Sequence, residues 1–237
     1  MPIVERWCHP VSCCDPVWED AYRRFESPAK EIRKFRRRLI AAGALEWPRE
    51  SAIVELCCGR GNGLKALSSL GFRSLRGVDL SEDLLVAYDG PARLYVGDCR
   101  QLALGDASAD VVVVQGGLHH LPEVPADLDL VLREIRRVLR PGGLFVAVEP
   151  WETPFLKIVH ACCAMPAIRR RWDRLDALAT MIDRERQTYE SWLRQGQAIR
   201  NVLHRHFRPD RESTSWGKLF FVGRPLTGRA ELVQGAA

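Results

Sequence analysis

Five apolar runs in this chain each end in a polar side chain: Glu55 in AIVELC, Asp79 in SLRGVDL, Asp98 after RLYVG, Gln115 in DVVVVQ and Glu149 in LFVAVE. Four of these five are carboxylates. Gathered in one cleft they would repel one another unless something cationic binds among them, which argues against a ligand dominated by phosphate charge. Between the first two lies CCGRGNG, with glycines at 59, 61 and 63. A G-x-G-x-x-G fingerprint needs a further glycine where Leu64 stands, and the G-K-[ST] of a Walker loop is absent. The glycines serve instead to turn the backbone tightly and to let a ligand approach it. Asp79, about twenty residues beyond that loop, is placed to accept both hydroxyls of a ribose. Asp98 could accept an exocyclic amine, and Glu55 would face an ammonium group. His119 and His120 follow the fourth run. An imidazole of pKa about 6.5 accepts a proton at neutral pH, so either could serve as a base, and Glu149 lies within reach of an acceptor.

Eight cysteines include three adjacent pairs, Cys13–Cys14, Cys57–Cys58 and Cys162–Cys163. Paired zinc ligands are usually about two to four residues apart, so neighbouring thiolates chelate one ion poorly. No metal site is expected, and a cluster of Cys8, His9, Cys13 and Cys14 is set aside. No apolar run approaches the roughly 18 residues of a membrane span, and the N-terminal segment lacks the pattern of a secretory signal. A cytoplasmic location with reduced thiols is the expectation. The formal charge of +5 is concentrated in EIRKFRRRL (31–39) and IRRRW (168–172). Such runs read as solvated helix faces, the other reading being attraction to an acidic acceptor.

The elements that must position these groups follow from the patterning. Short apolar runs alternate with amphipathic stretches from Ser51 onward, which predicts parallel strands joined by helices, with a ligand beyond the strands' carboxyl ends. DVVVVQ is β-branched throughout and belongs in the middle of the sheet, buried on both faces. Residues 1–26 read as irregular and aromatic; a helix then starts at Ser27-Pro28 and ends near Gly43. Residues 153–206 read as two or three helices. KLFFVGR (218–224) is a last strand, pairing antiparallel with a partner around 208–214. The fold class is α/β: a Rossmann-like, doubly wound sheet with an N-terminal helix and a helical insert before the final hairpin. One domain is expected, with a cap (1–50), a core (51–152), a helical lid (153–207), the hairpin (208–225) and a loose tail (226–237).

A ligand with an ammonium, a sulfonium, a ribose diol and adenine but no phosphate is S-adenosylmethionine. IVELCCGRGNG, GVDLS, GDCRQLAL and DVVVVQGGLHHLPE…LREIRRVLRPGGLFVAVEPW together resemble the class I S-adenosylmethionine-dependent methyltransferases, in the small-molecule branch with LHHL and LRPGG. The resemblance spans about residues 51–152 and implies a seven-stranded sheet with the last strand antiparallel. It implies that Glu55, Gly59 and Gly61 hold the methionine part, Asp79 the ribose, and Asp98 with Cys99 the adenine edge; Cys57, Leu80 and Gln115 complete the cofactor set. Two positions depart from the family. Cys57 stands where its first loop glycine lies, tolerable if φ is negative, and Arg60 replaces a small residue. Tyr22, Glu149, His160 and Tyr189 are the acceptor-side candidates, with Phe25 and Trp192 as further lining.

The function expected is methyl transfer to oxygen, nitrogen or carbon of a small molecule by in-line displacement, the basic runs leaving an acidic acceptor open. The rivals are a metalloid methyltransferase using the cysteine pairs and a non-catalytic scaffold. A nucleic-acid partner is not expected: QGGLHH stands where amino-base methylases carry an NPPY-like sequence, and the basic runs lack interleaved aromatics.

Overall fold

The computed structural model describes residues 4–9 and 15–226. In chain order the elements are β1 (Val4–Arg6), α1 (Pro16–Phe25), α2 (Pro28–Ala41), β2 (Ile53–Leu56), α3 (Asn62–Ser69), β3 (Leu75–Asp79), α4 (Glu82–Leu85), β4 (Arg93–Val96) and β5 (Ala109–Gln115). A 3-10 turn (Leu118–His120) leads to α5 (Ala126–Val138) and β6 (Leu139–Pro150). Then come α6 (Pro154–Cys163), α7 (Pro166–Arg169), α8 (Asp173–Arg184), α9 (Arg186–Arg194), α10 (Gly196–His206), β7 (Phe207–Ser215) and β8 (Lys218–Pro225).

The strands form one sheet in the order β1-β4-β3-β2-β5-β6-β8-β7. All pairings are parallel from β1 to β6, and β8 runs antiparallel to both β6 and β7. Alternation along β5 explains why its valines are all buried. Val112 and Val114 join Leu128, Val131 and Ile135 of α5 and Leu203 of α10 on one face. Val111 and Val113 join Leu39 of α2 and Leu64 and Leu67 of α3 on the other. Helices therefore cover both faces, as the unbroken apolar character of the central strand requires.

Three features differ from the sequence expectation. The sheet has eight strands rather than seven, because Val4–Arg6 adds in parallel beside β4. Residues 16–25 are helical, capped by Asp15, whose Oδ1 accepts from Val17 N at 2.8 Å, with Pro16 at the first position. Aromatic content masked that capping signal. The insert holds five short helices, α6 to α10, not two or three. Leu226 N donates to His206 O, while the rest of the expected loose tail and Cys13–Cys14 lie outside the described residues.

The turn from β2 into α3 depends on Gly61, which has φ +71 and whose added Cβ would stand 2.3 Å from Tyr88 Cδ2. Left-handed backbone and overpacking together should cost Gly61→Ala about 2–4 kcal/mol. Gly105→Ala, with nothing within 4 Å of its Cβ position, should change stability by less than about 0.5 kcal/mol. Urea midpoints of the two variants against the parent check the contrast.

Candidate functional site

Glu55 sits on β2 in register with Val113, one position pair short of Gln115 on the neighbouring strand β5. Its side chain points into the start of α3, where the Leu64 N–H donates to it and the helix dipole favours negative charge. Gly63 makes this possible: a Cβ there would lie 1.7 Å from Glu55 Oε1. The sequence reading counted Gly63 only as part of a pattern, although its place behind the strand-end acid was the available signal. Glu55 is 2% exposed, and neither its Oε2 nor the amide atoms of buried Gln115 make a hydrogen bond of ordinary length, although the Gln115 amide lies near enough to Glu55 to favour its charged form. Burial first, and then the nearby Glu31 carboxylate, push Glu55 up to about 8. Unmade hydrogen bonds on buried polar atoms are costly, so the pair forms a cradle with capacity for an ammonium and a carboxylate.

At the end of β3, Asp79 Oδ2 accepts from Gly59 N at 2.8 Å and Oδ1 from Ser81 N at 2.9 Å. Burial outweighs these bonds and raises its carboxyl above the usual range. One backbone donor on each oxygen fixes the carboxylate and leaves lone pairs for a diol. Leu80 follows directly, half-buried. Asp98 is different. Arg100 donates to both of its oxygens, with Nη2 to Oδ2 at 2.7 Å, and these bonds hold it below the usual range despite the opposing push of burial. Its carboxylate is thus already shared with Arg100.

Cys57 has φ +53. The expectation of a negative φ is overturned: the loop demands left-handed backbone here, and cysteine bears the strain that glycine would avoid. Its free thiol is in hydrogen-bonding contact with that of buried Cys99 and packs where a Cβ on Gly117 would fall, so Cys57 and Cys99 link the loop to the β4 end. Arg60 turns away from the strand ends to Glu19 of α1 at 2.5 Å. Gly59 and Gly61, both at positive φ, carry the backbone around the space in front of Glu55.

Glu149 has no exposed surface and is not free to meet an acceptor. Its Oε1 accepts from Gly117 N at 2.9 Å and Leu118 N at 3.0 Å, and its Oε2 pairs with His119 Nδ1 at 2.8 Å. His119 itself is buried, its ring 4.1 Å from that of His120. His120 keeps 46% of its side chain exposed as a cleft wall. The dense surroundings and neighbouring His119 push its pKa down to about 3, against the pull of Glu149, so its imidazole is neutral at physiological pH.

Of the other acceptor candidates, Tyr22 gives its hydroxyl to Glu31 and stacks on Trp18. His160 Nε2 lies 3.1 Å from the Tyr189 hydroxyl, and the Tyr189 ring meets His119 edge-on at 6.0 Å. His160 and Tyr189 line a groove of about 720 Å³ among α6, α8 and α9, which none of the strand-end acids reaches. Trp192 is core: it is 1% exposed and donates to Pro150 O. Among the described residues no cysteines gather as a ligand set; His119, His120 and Glu185 do, their ligand atoms all within 4.8 Å of one another. Sequence reasoning, which expected no metal and weighed only the N-terminal Cys8, His9, Cys13 and Cys14 and the cysteine pairs, passed over this group because Glu185 comes from the distant α8–α9 junction.

Comparison with known proteins agrees with the strand-end geometry. Residues 54–147 match a family model described as a methyltransferase domain. A ubiquinone/menaquinone biosynthesis C-methyltransferase of Rubrivivax gelatinosus is 36% identical over 108 residues, 43% of this chain and 40% of the relative. A demethylmenaquinone methyltransferase of Staphylococcus aureus is 34% identical over 106 residues, 40% and 42% of the two chains. The matched part of the chain thus spans well under half the length of these curated relatives. Among solved structures, the PH0226 protein of Pyrococcus horikoshii shares the fold with TM-score 0.64 at 18% identity, covering 88% of this chain and 98% of that one. A SAM-dependent methyltransferase of Methanosarcina mazei does so with TM-score 0.52 at 18% identity over 76% and 94%. No helix among the described residues is long and apolar enough to cross a membrane. The centre of this sheet, residues 54–147, is thus similar to a methyltransferase domain, and the chain shares its fold with these solved structures.

Proposed function

We propose that this chain moves the methyl group of S-adenosylmethionine to a small-molecule acceptor by in-line displacement. One observation carries the reading: buried Glu55 and Gln115 hold unfilled hydrogen-bonding atoms in the loop region where Asp79 is fixed by backbone N–H groups. That set suits an ammonium, a carboxylate and a diol, the polar groups of this cofactor. When bound, the cofactor supplies an electrophilic methyl on sulfur. The chain's own part is to align acceptor, methyl and sulfur, worth up to about 7–11 kcal/mol of barrier.

In this assignment Glu55, Gln115 and the Cys57–Gly61 loop take the methionine part, and Asp79 with Leu80 the ribose. Cys99 and Asp98 take the adenine edge, Asp98 sharing its carboxylate with Arg100. His119 and His120 stand on the acceptor side, with Tyr22, His160 and Tyr189 as its outer wall, on segments outside the region matched to the relatives. Glu149 acts through His119 as a positioning residue. Relatives named for quinone biosynthesis support a small-molecule acceptor. An acidic group on it is supported less by IRRRW, where Arg169 pairs with Asp176, than by Arg38 and Lys218. Those two are half-buried without an ion-pair partner among the described residues, and burial first, then Arg38, push Lys218 down to about 8.

Calorimetric titration with S-adenosylmethionine tests the reading. Micromolar binding is expected, weakened about 100-fold by Asp79→Ala and less by Asp79→Asn, which keeps the shape but not the charge. Absence of binding by folded protein at millimolar cofactor would leave the scaffold alternative.

A pH dependence follows from Glu55. Its native value near 8 against 4.5 unfolded means that the native state holds the extra proton between those limits, so stability of the unliganded protein falls as pH rises from about 5 to 8. Cofactor binding needs the ionised form, so affinity should fall about tenfold per pH unit below 8. Thermal melts from pH 5 to 9 check the first slope, which Glu55→Gln should flatten, and titrations over the same range check the second.

A further inference from the structure

We propose that His119, His120 and Glu185 form a binding site for one divalent transition-metal ion of the zinc class, with Glu149 holding His119 in the ligating orientation. The Nδ1 of His119 is committed to Glu149, so its Nε2 is the atom left to ligate. Glu149 cannot swing away, because Gly117 N and Leu118 N occupy its other oxygen. A carboxylate behind a ligating imidazole is the arrangement by which proteins fix tautomer and ring direction at a metal. His120 follows in the same 3-10 turn, and its Nδ1 stands 3.5 Å from Glu185 Oε2. That oxygen is inaccessible to solvent and accepts no hydrogen bond of ordinary length, its nearest donor being the Trp18 indole. Buried carboxylate oxygens are rarely left so, and the spacing to His120 is longer than a hydrogen bond but suits two ligands of one ion.

Two imidazoles and a carboxylate form the donor set of catalytic zinc and related ions, with one or more positions left open. The alternative arrangement, a plain stack of imidazoles against an acid, would leave Glu185 Oε2 with only a long approach from the Trp18 indole. The site joins the turn after the central strand to the helical insert, so an occupied site would also lock the insert onto the core. Resting on the methyltransferase reading, its open positions would hold acceptor oxygens and polarise a hydroxyl for methylation.

The test uses metal-free protein titrated with Co²⁺ and Zn²⁺, without cofactor. One Co²⁺ per chain is expected, with visible d–d absorption of a four- or five-coordinate site that Zn²⁺ displaces. His120→Ala and Glu185→Gln should each weaken binding at least 100-fold, and Glu149→Gln about 10–100-fold with circular dichroism unchanged. His204→Ala, an exposed histidine paired with Glu212, should leave binding as it was. Failure to bind at 100 μM metal, or binding that survives both His120→Ala and Glu185→Gln, would overturn the proposal. Cofactor binding without metal binding would sink the metal site alone; the converse would sink the methyltransferase reading and keep the site.

Discussion

A single buried carboxylate, Glu149, organises the edge of the sheet on which the chemistry depends. It ends β6 with no solvent contact, and an ionised acid in that position is tolerable only when donors surround it. Two backbone N–H groups and an imidazole supply them. Hydrogen bonds to a charged group contribute about 1.5–3 kcal/mol each, enough to dictate the path of the chain after β5. The 3-10 turn exists in its observed form because the carboxylate must be satisfied, and the orientation of His119 is a by-product of that requirement. Charge burial, not loop propensity, sets the acceptor side of the site.

On the other side of the turn the same logic is left incomplete. Glu55 receives a helix N-terminal N–H, but beyond a weak approach of the Gln115 amide its second oxygen has no donor at ordinary hydrogen-bond distance, and the Gln115 amide has no other partner. A fold that satisfies Glu149 with three donors has the means to satisfy Glu55, so the deficit marks where a ligand completes the structure. Burial first, and then Glu31, raise the pKa of Glu55, and on the proposed function a bound cation would bring it back down. Cofactor binding would then be coupled to proton release and to stability.

Much of this was legible in the sequence because it rests on period and position. Continuous β-branched character placed β5 at the centre, and the polar strand ends marked the sheet edge on which Glu55, Asp79 and Glu149 gather. The resemblance from 51 to 152 overlaps the 54–147 match because both read the same strand–loop–helix grammar. What was not legible depends on distance in three dimensions or on backbone angles. Asp98 is neutralised by Arg100 two residues on, yet nothing in GDCRQLAL says whether that arginine folds back. The φ of Cys57 is imposed by a turn whose later glycines were visible but whose first position was not. Helix α1 announced itself by Asp15 and Pro16, and aromatic residues drew attention from that cap.

The insert is where sequence patterns carried least, and its chemistry explains why. Helices α6 to α10 are short, and they pack through scattered contacts such as Trp192 against Pro150 O and His160 against Tyr189, rather than through a repeating apolar stripe. Short helices joined at junctions such as Glu185 place side chains by where one helix stops and the next begins, information that hydrophobic periodicity does not hold. Glu185 therefore reaches the histidine pair from a position no spacing rule would select. The curated relatives match only the core, so under the proposed function substrate choice would rest with residues outside it: the α1 cap, Arg38, Lys218 and the insert. On that reading, specificity would be a property of how the cap and insert meet the strand ends.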